Sequence, residues 1–126
     1  MFLALLGAAG AARAGEACGD ATLSGSYIMS GLGTDGDGSA LAGMIFYDGK
    51  GGYDIRLRFG GKGEVTAADK GAYRHVGGCE FEAVSQSGRS AHYFVDPSGE
   101  RFKFVISSGG HVAGDAQRVS REKIGP

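Results

Sequence analysis

The sequence contains no tryptophan, two prolines and two cysteines. It has no excess of either charge, with 13 basic against 14 acidic side chains. It has no apolar run of the ~20 residues that a membrane-spanning helix needs. Each absence removes a class of protein. Without a basic surplus there is no electrostatic footprint for nucleic acid or an anionic membrane. Scarce proline and the lack of a Gly-X-Y period exclude collagen. No Cys-x-x-Cys pair exists to hold zinc or run redox chemistry. Helical periodicity is also missing: Ala67-Ala68-Asp69-Lys70 offers at best one turn.

What is abundant is glycine, 25 of 126 residues, roughly three times the usual share. Simple disorder does not fit, because 42% of the residues are hydrophobic and the charges balance. Long helices do not fit either, since each interior glycine costs ~1 kcal/mol relative to alanine. A small, turn-rich, mostly β domain remains.

The N-terminus reads as an export signal over residues 1–14. Phe2 to Ala12 is an apolar stretch of signal-peptide length, and Ala12-Arg13-Ala14 is an A-x-A cleavage pattern. No Lys or Arg precedes the stretch, and Glu16 breaks a lipobox before Cys18. Residues 15–126 then form one domain by length, exported to the periplasm or the extracellular space. An even cysteine count in an exported chain predicts a disulfide between Cys18 and Cys79.

Between the glycine-rich turns lie runs of β-branched and aromatic residues. Strands are predicted over 22–30, 40–48, 53–59, 70–76, 79–85, 90–96, 100–107 and 111–119, with a short piece at 64–67. Tyr53, Ile55, Leu57 and Phe59 alternate with Asp54, Arg56 and Arg58, giving one buried and one wet face. The tail from Ser120 is polar and expected to fray. Short sequential hairpins favour an antiparallel up-and-down barrel of about eight strands, which leaves no exposed edge. A two-sheet sandwich is the alternative. Four glycines, Gly25, Gly43, Gly71 and Gly114, fall inside strands and supply bends for closure.

Four pieces of sequence carry a resemblance. They are Leu23-Ser24-Gly25-Ser26-Tyr27 after Cys18, Phe46-Tyr47-Asp48-Gly49-Lys50-Gly51, Gly71-Ala72-Tyr73, and Cys79. In this order they resemble a family of small exported bacterial proteins largely without assigned function. The chain departs from the pattern by carrying Tyr47 between Phe46 and Asp48, so the parity of the second strand stays open. The resemblance implies an architecture similar to calycin and allene oxide cyclase-like barrels. Such barrels bind small apolar molecules, and some steer a cyclisation. The lipocalin Gly-x-Trp signature is absent, and no catalytic motif of the plant cyclases is present.

Among single residues, His92 stands out. A two-residue turn at Ser87-Gly88 and a pairing of 96 with 100 place His92 on one face with Phe81, Phe94, Phe102 and Phe104. An imidazole in an aromatic pocket orients a ligand or acts as a general base. Against this stands an ordinary hydrogen-bonded histidine, since a one-residue slip turns the face inside out. Tyr27 and Tyr73 are expected inside, with Tyr47 as a further candidate.

Other constellations are weaker. His75, His92 and His111 sit on three different strands without ligand spacing, so no metal site is expected. Asp35-Gly36-Asp37-Gly38 lacks the glutamate of a calcium loop, because Phe46 stands at that position. Lys62 among glycines lacks P-loop spacing, and Ser24-Gly25-Ser26 has no evident base. Glu80 and Glu82 share an outer face and are expected to be solvated. No cofactor is expected. The leading expectation is a barrel binding a small apolar or amphipathic ligand. The alternatives are a cyclase or isomerase using His92 or an inward tyrosine, and an interaction or inhibitor protein using the 31–39 loop or the Lys50 and Lys62 turns.

Overall fold

The computed structural model describes residues 18–33, 40–60, 65–107 and 112–124. The apolar leader, the Asp35 to Gly38 loop tip, the Lys62 turn and His111 lie outside them.

Eight antiparallel strands run up and down in sequence order, and the last pairs with the first to close a barrel. They are β1 (Ser24–Gly33), β2 (Ala40–Asp48), β3 (Gly52–Phe59), β4 (Val65–Gly77), β5 (Glu80–Ser85), β6 (Ser90–Val95), β7 (Arg101–Ile106) and β8 (Val112–Ser120). Closure rules out the sandwich. The two pieces predicted around 64–67 and 70–76 are one continuous strand. Its first part, Val65 to Ala72, pairs with β3, and Gly71 to Gly77 pairs with β5. That offset between neighbours is the stagger a tilted, closed sheet requires.

Alternation sets the core. Tyr53, Ile55 and Leu57 of β3 point inward and are buried, as are Phe102, Phe104 and Ile106 of β7. On β2 the parity left open by the sequence resolves: Tyr47 is inside and fully buried, and Phe46 is outside. Gly25 carries φ +98° beside the β-bulge between Ser26 and Tyr27 on the β1–β8 ladder, where only glycine is unstrained.

The expected inner face around His92 is corrected. Phe81 pairs with Tyr93 and Glu82 with His92 on the β5–β6 ladder. Tyr93 pairs with Phe104, and Val95 with Phe102, on the β6–β7 ladder. The cause lies in the two flanking loops. The first holds three residues, Gln86-Ser87-Gly88, closed by Ser85 N donating to Arg89 O at 2.9 Å, with Gly88 at φ +92°. A type I turn followed by a left-handed glycine is the favoured three-residue hairpin. The second loop holds four residues, 97–100, closed by Asp96 N donating to Arg101 O at 2.9 Å. Both loops are one residue longer than expected. Strand β6 therefore turns over as a unit, and His92 and Phe94 face outward.

One end of the barrel is sealed. A 3-10 turn at Asp20–Thr22 lies across it, linked by the Cys18–Cys79 disulfide, which closes a separation of 61 residues. The Tyr73 hydroxyl reaches the carbonyls of Asp20 at 2.8 Å and Leu23 at 3.0 Å. The Gly99 carbonyl accepts from the Tyr27 hydroxyl and from Arg118 Nη2, the latter at 3.0 Å. The expectation of a frayed tail is also corrected. Ser120 belongs to β8, and the next residues strap onto the outer wall. Ser26 Oγ donates to Glu122 O at 2.7 Å and accepts from Ile124 N at 3.1 Å. Lys123 Nζ meets Asp54 Oδ2 at 2.8 Å and lies over the Phe46 ring.

Candidate functional site

The interior is filled by rings. All five tyrosines converge there with Phe81, Phe102 and Phe104. Tyr47 stands at the centre. Its ring centroid lies 5.3 Å from Tyr27, 5.2 Å from Tyr73, 5.9 Å from Tyr53 and 6.1 Å from Tyr93. The contacts with Tyr27, Tyr73 and Tyr93 are edge-to-face, the geometry that aromatic quadrupoles favour. Burial raises the pKa of Tyr47, Tyr53, Tyr73 and Tyr93. It lifts Tyr53 and Tyr73 to about 12, and it raises Tyr47 and Tyr93 well above the ordinary phenol value. The Tyr47 hydroxyl is completely buried near Tyr93 and makes no well-formed hydrogen bond. The four raised phenols stay neutral at physiological pH; Tyr27 and Tyr73 also donate hydrogen bonds to backbone carbonyls, and the rings serve as packing.

Toward the other end lies an enclosed void of about 20 Å³, between Met29, Tyr53, Tyr93 and Phe104 and beneath Arg89. That is room for about one water molecule. A ligand pocket typically needs ~300 Å³ or more. Arg89 faces this mouth, with its guanidinium 5.6 Å from the Phe59 ring centroid. Among the described residues no carboxylate pairs with it.

The residues expected to touch a ligand divide as follows. Tyr27, Tyr73, Phe81, Phe102 and Phe104 are inside and packed. His92 and Phe94 are on the outer wall, and Phe94 is 59% exposed. His92 Nε2 bonds the Glu80 carboxylate, and Glu82 pairs with Arg74 at 2.8 Å. This is a surface row of polar pairs across β4, β5 and β6, and exposed pairs of this kind are individually weak. His75 hydrogen-bonds the Gly78 carbonyl at 2.6 Å, beside the second cysteine's turn. Among the described residues no group of three His, Cys, Asp or Glu side chains is placed to hold a metal ion.

Among the described residues, ligand-sized concavities lie on the outer wall. One of about 580 Å³ lies on the outer wall of β1, β2 and β3, against the C-terminal strap. Its apolar floor is Ile28 and Met44, which stand directly opposite one another. Ile124 of the strap and Phe46 flank them, and Arg56 and Arg58 form the β3 edge. A second of about 660 Å³ shares Ile28 and continues past Val119 to Phe94, across a polar row that includes Lys103 and Asp115. The sequence carried one signal for the first groove: Ile28 and Met44 are large apolar residues at outward parity. The strap that makes it a groove is a tertiary contact. It had no local signal.

Neither a family model nor a curated protein matches the chain. Among solved structures it is similar to a de novo designed "fluorescence-activating beta barrel", at 15% identity and a TM-score of 0.55. The match covers 78% of this chain and 94% of the designed one. At that identity the likeness concerns the fold, and it agrees with the closed barrel. Among the described residues no helix is long and apolar enough to cross a membrane.

Proposed function

We propose that this is an exported binding protein for a small amphipathic molecule, and that the ligand sits in the outer groove beside the C-terminal strap. The observation that carries this reading is the contrast in volume. Among the described residues the interior void is about 20 Å³ and the strap-walled groove about 580 Å³, and of these two the groove lies in the range of small-molecule sites. The barrel supplies a rigid wall. The strap, held at Ser26 and Asp54, supplies the side of the groove. The designed relative's stated purpose, activating fluorescence, adds support for a barrel of this size serving as a small-molecule scaffold. The apolar leader and the disulfide support export.

The cyclase reading fares less well. His92, one of the two kinds of base it offered, is on the outer wall, and among the described residues the inward tyrosines pack against one another around a void of only about 20 Å³. The interaction reading retains one described element. The Lys50 turn is held rigidly by Asp48 Oδ1, which accepts from Lys50 N at 2.7 Å and Gly52 N at 2.9 Å.

The test is an amide chemical-shift titration with decanol, a neutral probe. The expected result is shifts clustered on Ile28, Met44 and residues 122–124. Shifts confined to Met29, Tyr93 and Phe104 would move the site into the barrel, and no saturable shift would end the small-molecule reading.

A further inference from the structure

We infer that the ligand of this groove is an anion: a single-chain amphiphile whose carboxylate, or comparable head, is held by Arg56, with its apolar chain lying over Ile28 and Met44. This deepens the proposed function and rests on it.

The groove is electrostatically one-sided. Three cations, Arg56, Arg58 and Lys123, line it against one carboxylate, Asp54. That carboxylate is already committed to Lys123 at 2.8 Å. Among the described residues this leaves Arg56 as the cation of the β3 edge without a counter-charge. Arg56 is the cation nearest the apolar floor, because it stands directly across the ladder from Met44, which in turn faces Ile28. It is exposed, and among the described residues it has no ion-pair or hydrogen-bond partner.

The shape supports the same orientation. The next row along the wall is Ser30 opposite Ala42. Both are short, so a chain lying over Ile28 and Met44 can run past them without a clash. Ile124 closes the opposite side. An extended amphiphile thus has an apolar track with a guanidinium at its edge. Guanidinium binds carboxylate in a two-pronged, charge-assisted geometry that a neutral alcohol cannot match. A cationic head would meet like charge.

The experiment is isothermal titration of the protein with decanoate, decanol and decyltrimethylammonium, repeated on Arg56→Gln, Ile28→Ser and Arg89→Gln. Charge-assisted hydrogen bonds are stronger than neutral ones, and with Arg56 exposed decanoate should bind on the order of tenfold tighter than decanol. Arg56→Gln should remove that advantage while leaving decanol unchanged, and decyltrimethylammonium should bind weakest. Ile28→Ser should weaken decanoate and decanol alike. Equal binding of decanoate and decanol, with Ile28→Ser still weakening both, would overturn the anion assignment and leave the groove in place. No binding of any probe would overturn the groove reading itself. Loss of decanoate binding in Arg89→Gln but not in Arg56→Gln would move the anion to the barrel mouth. Binding to anionic lipid vesicles without binding of free decanoate would replace the small amphiphile with a membrane surface.

Discussion

Tyr53 stands directly across the β3–β4 ladder from Gly71, and its phenol lies over the glycine. A Cβ at position 71 would come within 2.5 Å of both the Tyr53 hydroxyl and the Val84 carbonyl oxygen. The ring can swing aside, but the Val84 backbone cannot move without breaking the β4–β5 pairing. Gly71→Ala should therefore destabilise the barrel by about 1–3 kcal/mol. Gly60→Ala, where an added Cβ meets nothing within 4 Å, should stay within about 0.5 kcal/mol of wild type. Chemical denaturation of the two variants checks both.

Reducing the Cys18–Cys79 bond should lower the melting temperature markedly. A crosslink spanning 61 residues restricts the unfolded chain by about 4 kcal/mol on the loop-entropy account. In a domain of this size that corresponds to a drop on the order of 15 °C or more. The same bond ties down the turn that seals one end, so the amides of residues 20–23 should lose hydrogen-exchange protection first. An unchanged melt in reductant would contradict the assignment of a stabilising role.

Two tyrosines should respond oppositely to loss of the hydroxyl. Tyr73 hydrogen-bonds the carbonyls of Asp20 and Leu23, so Tyr73→Phe should cost about 1–2 kcal/mol. The Tyr47 hydroxyl is buried without a well-formed partner, so Tyr47→Phe should be neutral or stabilising by up to about 1 kcal/mol. A large destabilisation by Tyr47→Phe would show that its hydroxyl is satisfied after all.

Alkaline titration should be cooperative. Burial raises Tyr53 and Tyr73 to about 12 from an ordinary value near 10, and it raises Tyr47 and Tyr93 well above that ordinary value. A folded-state value above the unfolded one means that the neutral phenols favour the fold. Their contribution is complete below about pH 10 and is lost as pH rises through 12. Tyrosinate absorbance from these four residues should therefore appear with loss of near-ultraviolet circular dichroism, in one step above about pH 11. Independent ionisation near pH 10 with the fold intact would contradict the buried cluster.

Much of the fold could be read from local pattern. Tyr53-Asp54-Ile55-Arg56-Leu57 alternates cleanly, and the structure keeps that alternation. The glycine-rich breaks marked nearly every hairpin. The face of β6 could not be read in the same way. Ser90-Ala91-His92-Tyr93-Phe94-Val95 has apolar or aromatic residues at both parities, so periodicity does not choose between them. The groove was legible only as two outward apolar residues. What encloses them is Ile124, almost a hundred residues from Ser26, which holds it in place.

The sequence by itself determined the β class, a strand count of about eight, the approximate places of the turns and the pairing of the two cysteines. All of these follow from short-range chemistry: glycine's freedom in turns, the two-residue period of a strand, and an even number of thiols. Tertiary structure alone decided which face His92 and Phe94 occupy, because one extra residue in each flanking loop reverses a strand. It alone decided that Tyr93 joins the other tyrosines inside and that Tyr47 stands at their centre, since packing depends on how rings from different strands interlock. Those two facts move the candidate site from the inside of the container to its wall.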